Sequence, residues 1–238
     1  MCRLLGMVFD EERGPKYVLD GDPSLELLSR VKWRYGSREI GPQDDGWGMA
    51  WIEDGVVRLF RTTTPLHESH CAREIVSQTR SRAYLFHLRK VSKEFSFTKS
   101  ILNTQPFADC RMAFAHNGTV KGLVAAGRRS GKSDSRMLYE LLQDFVDPEE
   151  GLREVVRRFG TSSTSLNSIV LTEEGLYVLN FFAEGANADY YTMYLKRDEG
   201  AVFVASQPMD GAGWSPIGNG RLVRIGLDLK VVFEDVLS

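Results

Sequence analysis

Short apolar runs bounded by Gly, Asp and Asn predict β-strands near the start of the chain and again over its last third. The early runs are CRLLGMVF at 2–9, GWGMAWIED at 46–54 and VVRLFRT at 56–62. Asp54 and Gly55 separate the last two runs and predict a tight hairpin turn. Six further runs follow residue 165 and predict six strands, within 166–175, 176–184, 190–198, 201–207, 221–229 and 230–235.

The middle of the chain carries apolar residues at helical spacing. DSRMLYELLQDF at 134–145 and GLREVVRRF at 151–159 each place four apolar residues at i, i+3, i+4 and i+7, which predicts two amphipathic helices. Less regular patterns predict helices within 23–35 and about 66–79. Between these lie two apolar runs of strand character, AYLFHLR at 83–89 and RMAFAHNG at 111–118. Strands, then helices, then strands indicate an α+β fold, and we expect residues 1–238 to form one domain.

Composition adds limits to this picture. The 238 residues are 42% hydrophobic and 26% charged with a formal net charge of -2, so neither nucleic-acid binding nor membrane binding is indicated. The N-terminus lacks the pattern of a signal peptide, so we expect a cytoplasmic protein. Three cysteines cannot all form disulfides within one chain, and none forms a CxxC pair. The one HxxH pattern, His67 and His70 followed by Cys71, is too sparse for a zinc site, and we expect neither metal nor cofactor.

Polar clusters interrupt apolar segments at four points where a strand ends or a helix starts. They are Cys2, His87–Arg89, His116–Gly118 and Ser133–Ser135. Each has a structural interpretation. Cys2 fits a small buried side chain, Arg89 a solvated strand end, Asn117-Gly118 a hairpin turn and Asp134 a helix N-cap.

Taken together, two of the clusters also fit nucleophilic catalysis. If Met1 is removed, Cys2 carries a thiol with a pKa of about 8.5 beside a free amine with a pKa of about 7.7–8.0. The amine can then take the thiol proton at neutral pH, and the thiolate can attack an amide or ester. Asn117, through its side-chain amide, and Gly118, through its N–H, are suitable donors for the oxyanion that forms.

In order and spacing, five motifs resemble the class II glutamine amidotransferases, which are N-terminal nucleophile hydrolases. The motifs are MCRLLG at the start, DDGWGMAW at 44–51, HLRKVS at 87–92, NTQPF with FAHNGTV within 103–120, and SDSRMLYELL at 133–142. VASQPMD at 204–210 and GWSPIGNGRLVRI at 213–225 extend the resemblance to the stand-alone, single-domain branch. Some members of that branch are associated with γ-glutamyl compounds, including ergothioneine-pathway hydrolases and glutathione-degrading complexes. The resemblance implies a four-layer αββα sandwich of mainly antiparallel sheets.

The resemblance also implies roles for individual residues. Cys2 would be the nucleophile that forms a γ-glutamyl thioester, and Asn117 with Gly118 would form the oxyanion hole. Arg89 would hold the substrate α-carboxylate and Asp134 the α-ammonium group. A further set would frame the substrate pocket: His87, Ser92 and His116. Trp47 and Gly48 would support the site from beneath.

The sequence departs from the family pattern at Leu88, Lys90 and Gln207, which leaves the details of the pocket open. The expected partner is a small γ-glutamyl substrate. Because no synthetase, isomerase or phosphoribosyl-binding segment follows, released ammonia is either a product or passes to a separate acceptor or transferase subunit. Two alternatives remain: an N-terminal-cysteine amidohydrolase of another acyl group, and a catalytically silent scaffold protein of the same fold.

Overall fold

Two antiparallel sheets form the centre of the molecule in a computed structural model, which describes residues 2–35, 38–91 and 93–237. The first sheet has the order β13-β11-β12-β1-β6-β4-β5 and the second β15-β14-β10-β9-β8-β7, while β2 and β3 pair separately. The strands are β1 Arg3–Arg13, β2 Trp33–Tyr35, β3 Arg38–Ile40, β4 Trp47–Glu53, β5 Val56–Thr62, β6 Ser81–Leu88, β7 Phe107–Ala108, β8 Met112–Asn117, β9 Asn167–Thr172, β10 Gly175–Asn180, β11 Tyr194–Asp198, β12 Ala201–Ala205, β13 Trp214–Pro216, β14 Arg221–Gly226 and β15 Val231–Asp235.

Helices cover the outer face of each sheet. The α-helices are α1 Leu25–Arg30, α2 Ala72–Gln78, α3 Val124–Ser130, α4 Asp134–Leu142, α5 Pro148–Phe159 and α6 Ala188–Tyr191, and short 3-10 helices lie at Leu66–Glu68, Lys93–Thr98, Ile101–Asn103, Lys121–Leu123 and Gly160–Ser162. Helices α1 and α2 pack against the first sheet, and α4 and α5 against the second. The layers therefore follow the order α, β, β, α, which confirms the expected sandwich.

The two sheets face each other across a core of buried apolar side chains. Strand alternation places Leu85 of β6 and Ala115 of β8 in this central cluster, while Phe86 and Phe114 point outward to the two helical layers. Because β1 lies between β12 and β6 in the middle of the first sheet, the start of β1 lies deep in the fold. This position carries Cys2 to the edge of the central core.

Several predicted elements are confirmed. The hairpin at Asp54 and Gly55 forms with positive φ angles of 52° and 73°, as a two-residue turn between right-twisted strands requires. The predicted strands at 2–9, 83–89 and 111–118 correspond to β1, β6 and β8. The two predicted amphipathic helices correspond to α4 and α5.

Other predictions are wrong at their boundaries. The helix expected within 23–35 ends at Arg30, because the aromatic residues Trp33 and Tyr35 belong to a strand that pairs with β3. The strand expected at 190–198 begins only at Tyr194, and the two tyrosines before it end helix α6. Asn117 and Gly118 do not form a hairpin, because β8 is followed by a helical segment and Asn117 pairs with Asn167 of β9.

Candidate active site

Cys2 lies immediately before β1, beside the end of β6. Its Sγ accepts a hydrogen bond from the Lys90 N–H at 3.2 Å and donates to the Lys90 carbonyl at 3.4 Å. Burial raises the pKa of the Cys2 thiol, while the Lys90 N–H and the charge of Arg89 partly offset this effect. A buried thiol with a raised pKa is a poor nucleophile by itself, so thiolate chemistry at this position needs a base.

Arg89 follows β6, and its buried guanidinium is held by the loop that comes next. Its Nη2 donates to the carbonyl and hydroxyl oxygens of Thr98 at 2.6 and 3.1 Å, and its Nη1 to the Ser100 carbonyl at 3.2 Å and the Thr104 hydroxyl at 3.3 Å. Burial lowers the pKa of Arg89, but an arginine remains protonated at neutral pH. Among the described residues no carboxylate lies within salt-bridge distance of this cation.

Asp45 fixes the course of the chain around Arg89. The main chains of the two segments exchange hydrogen bonds, from the Arg89 N–H to the Gly46 carbonyl and from the Asp45 N–H to the Arg89 carbonyl. The Asp45 carboxylate accepts from the Val91 N–H at 2.9 Å and pairs with Lys99 at 2.6 Å. Burial alone would raise the pKa of Asp45, but these two partners lower it below its ordinary value. The DDGWG motif thus positions Arg89, and none of its residues lines the cavity described below.

Asn117 ends β8 in the second sheet and reaches across to the first residue described in the chain. Its Nδ2 donates to the Cys2 carbonyl at 2.8 Å, while its Oδ1 is buried without a hydrogen-bond partner among the described residues. An amide nitrogen carries two hydrogens, so one donor remains beside Cys2. At the next position, a Cβ on Gly118 would collide with the main-chain oxygen of Ser165. Only glycine fits there, which explains the Asn-Gly pair where the hairpin interpretation failed.

Asp134 is the first residue of α4, but it is not the helix cap. Ser133 caps the helix, since its hydroxyl accepts from the Arg136 N–H, and this corrects the N-cap interpretation of Asp134. The Asp134 carboxylate instead accepts from the N–H groups of Val120 and Ser135, both at 2.8 Å. Asp134 is only 5% exposed and has no salt-bridge partner among the described residues.

His116 connects the two segments that carry Asn117 and Asp134. Its Nε2 lies 3.2 Å from the Ser165 carbonyl, which can only accept, so Nε2 carries the proton. Its Nδ1 then accepts from the Ser135 hydroxyl at 2.9 Å. Burial lowers the pKa of His116, in agreement with a neutral ring. Although His116 lines the cavity described below, both ring nitrogens are occupied by these protein contacts.

His87 faces the space between the sheets and does not line the cavity. It is fully buried on β6, opposite Leu4 and Gly48, and neither ring nitrogen has a hydrogen-bond partner among the described residues. Burial lowers the pKa of His87 well below its ordinary value, and nearby Arg89 adds to the effect. Ser92, expected in the same pocket, lies outside the described residues.

The residues around Cys2 enclose a cavity of about 320 Å³. Of the predicted site residues, the following line it: Cys2, Arg89, His116, Asn117, Gly118 and Asp134. Two opposite charges, Arg89 and Asp134, therefore face one cavity while each is about 95% buried and lacks a counterion among the described residues. Because a buried charge is unfavourable unless it is compensated, this cavity suits a small zwitterion.

Other lining residues were not identified as site residues from the sequence. They include Thr98 and Asn103 from the two 3-10 helices after β6, Thr164, and Tyr190 with Tyr191 from α6. Asn103 lies in the quoted NTQPF motif and accepts from the Ser133 N–H at 2.7 Å, which ties the Arg89 loop to the start of α4. The sequence pattern predicts a strand at 190–198 and so gives no sign that Tyr190 and Tyr191 line this cavity.

Metal binding has no support in the part of the chain that is described. Within residues 2–35, 38–91 and 93–237 no three His, Cys, Asp or Glu side chains come together in a group that could hold a metal ion. His67 instead contacts the Ser29 hydroxyl through Nδ1 at 2.9 Å. Among these same residues no helix is long and apolar enough to cross a lipid bilayer.

Comparison with known proteins identifies a family. The sequence model of the family described as class-II glutamine amidotransferases matches residues 1–156, which include all of the predicted site residues. A curated relative, the γ-glutamyl-hercynylcysteine sulfoxide hydrolase of Mycobacterium tuberculosis, is 24% identical over 228 residues, covering 94% of this chain and 93% of that protein. An uncharacterised protein of Methanocaldococcus jannaschii is 32% identical over 128 residues, covering 51% of this chain and 31% of that protein.

Solved structures share the fold at low sequence identity. A glutamine aminotransferase class-II domain protein from Silicibacter pomeroyi superposes with a TM-score of 0.64 at 20% identity, covering 98% of this chain and 99% of that one. The glutamine phosphoribosylpyrophosphate amidotransferase of B. subtilis gives a TM-score of 0.69 at 17% identity, covering 99% of this chain and 49% of that one. In the second case the present chain therefore spans about half of the larger protein.

Proposed function

Because the chain belongs to the class-II glutamine amidotransferases, we propose that it hydrolyses the γ-amide bond of glutamine or of a γ-glutamyl conjugate, with Cys2 as nucleophile. The observation that carries this proposal is the cavity beside Cys2, in which a buried arginine and a buried aspartate have no counterion among the described residues. A glutamyl head group supplies both missing charges, a carboxylate for Arg89 and an ammonium group for Asp134.

The chemistry requires Cys2 to be the first residue of the active enzyme, so we also propose that Met1 is removed. The freed α-amine takes the thiol proton. It is thus the base that the thiol requires, because burial raises the pKa of that thiol. The thiolate attacks the γ-carbonyl carbon and forms a C–S bond. The carbonyl oxygen becomes an oxyanion, for which the second Nδ2 hydrogen of Asn117 and the Gly118 N–H are the donors.

The tetrahedral intermediate then breaks its C–N bond. The leaving nitrogen takes the proton from the α-ammonium group of Cys2, and ammonia or an amine departs, which leaves a γ-glutamyl thioester. A water molecule gives a proton to the same amine and attacks the thioester carbonyl. When the C–S bond breaks, the sulfur regains a proton and glutamate is released. The cycle consumes one water and needs no redox partner.

The cavity also argues against the two alternatives, an amidohydrolase of another acyl group and a catalytically silent scaffold. An amidohydrolase of another acyl group would have no use for two buried, opposite charges in the cavity beside Cys2. A silent scaffold would gain nothing from the second Nδ2 hydrogen of Asn117 beside Cys2. Both features favour turnover of a substrate with an amino-acid head.

Glutamate release tests the proposal. The protein is incubated with glutamine and with several γ-glutamyl amides, and glutamate is measured over time. We expect release with at least one compound, loss of release in Cys2→Ala, and no loss in Cys71→Ala, which alters an exposed cysteine outside the cavity. Undiminished release by Cys2→Ala would overturn the proposed mechanism.

A further inference from the structure

The cavity has an aromatic wall that the hydrolysis of a simple amide does not require. Tyr190 and Tyr191 line it from helix α6, in the connection between β10 and β11. Tyr191 stacks on the buried ring of Phe182 with centroids 6.0 Å apart, and Tyr190 meets Tyr191 edge to face at 5.0 Å. Both tyrosines remain partly exposed beside the cavity. The wall is therefore a supported stack of rings with surface left for a ligand.

The wall is also anchored to the sheet. The side-chain amide of Asn167 donates to the Tyr191 carbonyl, and Asn167 lies directly opposite Asn117 in the pairing of β9 with β8. This contact holds α6 next to the end of β8. Asn167 therefore fixes the position of the tyrosines relative to the oxyanion donors, because it contacts Tyr191 and pairs with Asn117.

The main chain from Asn117 to Val120 connects two sides of the cavity, the Asp134 side and the tyrosine side. At its far end the Val120 N–H holds the carboxylate of Asp134, and at its near end Asn117 neighbours the tyrosine wall through Asn167. A γ-glutamyl substrate with its carbonyl at Asn117 and its ammonium group at Asp134 points its leaving group away from Asp134. Tyr190 and Tyr191 line the same cavity and are joined through Asn167 to Asn117, at the end of the cavity away from that carboxylate.

From this arrangement we propose that the natural substrate is a γ-glutamyl amide whose amine portion carries an aromatic ring, which packs against Tyr190 and Tyr191. Aromatic rings gain from offset and edge-to-face contacts beyond the area they bury, and ammonia makes no use of such a wall. The inference rests on the proposed γ-glutamyl hydrolysis and specifies the class of leaving group for it.

Two matched substrates test the inference: γ-glutamyl benzylamide and γ-glutamyl n-propylamide, whose leaving groups are both primary alkylamines. We expect the wild-type enzyme to hydrolyse the benzylamide with a kcat/KM about tenfold higher. Tyr191→Leu should remove this preference, and Tyr191→Phe, which keeps the ring, should retain it. Phe233→Ala, which removes an exposed ring outside the cavity, is the control and should also retain it.

The outcomes separate the two proposals. If both amides are hydrolysed with equal kcat/KM, or if Tyr191→Leu keeps the preference while circular dichroism shows it folded, the aromatic leaving group is wrong and γ-glutamyl hydrolysis stands. If the wild-type enzyme releases glutamate from neither amide nor from glutamine, the proposed function itself fails.

Discussion

The Nδ2 of Asn117 donates to the main-chain carbonyl of Cys2 at 2.8 Å, which joins the end of a strand in one sheet to the start of a strand in the other. The two residues are 115 positions apart in the chain. This contact brings the thiol and the candidate oxyanion donors together. The position of the nucleophile therefore depends on how the two sheets pack.

Replacement of Asn117 tests the oxyanion donor. We expect Asn117→Ala to lower kcat by about 100- to 1,000-fold, the usual loss when one such donor is removed, with a smaller change in KM. Steady-state glutamate release measures both constants, and a thermal melt checks the fold. A variant that folds normally and keeps its kcat would remove Asn117 from the chemistry.

Replacement of Arg89 tests recognition of the head group. Arg89→Lys keeps a positive charge but loses the planar guanidinium that Thr98, Ser100 and Thr104 hold in place, so we expect KM to rise roughly 10- to 100-fold, the range for a lost charged hydrogen bond. Arg111→Lys is the matched control, since Arg111 pairs with Asp109 at 3.5 Å outside the cavity. An equal KM in wild type and Arg89→Lys would contradict the assigned role.

The hydrogen bond between Ser135 and His116 predicts that a variant without the Ser135 hydroxyl is less stable. Ser135→Ala removes the hydroxyl that donates to His116 Nδ1 and leaves a buried acceptor unsatisfied, which should lower the free energy of unfolding by about 1–3 kcal/mol. Ser130→Ala, at an exposed position on α3, should change it by less than about 0.5 kcal/mol. Urea denaturation of the two variants gives the comparison. Equal free energies of unfolding in Ser135→Ala and Ser130→Ala would show that the Ser135–His116 contact does not stabilise the fold.

His87 predicts a pH dependence of stability. Burial holds its pKa far below the ordinary value, so below about pH 6.5 the unfolded chain binds a proton that the folded chain does not. The free energy of unfolding then falls as the pH falls, by up to about 1.4 kcal/mol per pH unit for this one group. His87→Leu removes the contribution and should flatten the profile between pH 6.5 and 5. Denaturant unfolding at several pH values measures the slopes, with the exposed His70→Leu as control, and an unchanged slope in His87→Leu would contradict this prediction.

The sequence pattern predicted many of the strands and the two amphipathic helices because their periodicities are local properties, whereas the order of the layers was implied by the family resemblance. The hairpin at Asp54 and Gly55 followed from two residues that accept positive φ angles. The same reasoning failed at Asn117 and Gly118, because the glycine is required by its close approach to Ser165, a contact 47 positions away in the chain. Long-range packing of this kind leaves no local pattern.

The candidate site was predicted largely from motifs, and its supporting contacts were not. Thr98 and Asn103, which hold Arg89 and the start of α4, end two short 3-10 helices whose course depends on the tertiary structure. The sequence pattern does not predict helix α3, because the helix has only seven residues and contains Gly127. A Cβ at position 127 would collide with the Lys132 carbonyl, so a glycine is necessary there. The single domain over residues 1–238 and the roles of the candidate site residues, Ser92 included, remain predictions.

The most direct test of the central claim is tandem mass spectrometry of the N-terminal peptide after the enzyme has reacted with a glutamine analogue that carries a diazoketone in place of the carboxamide. We predict a peptide that begins at Cys2 and bears the analogue on its sulfur, in a sample that has lost glutaminase activity. An active enzyme that retains Met1, or an inactivating adduct on any other residue, would contradict the account.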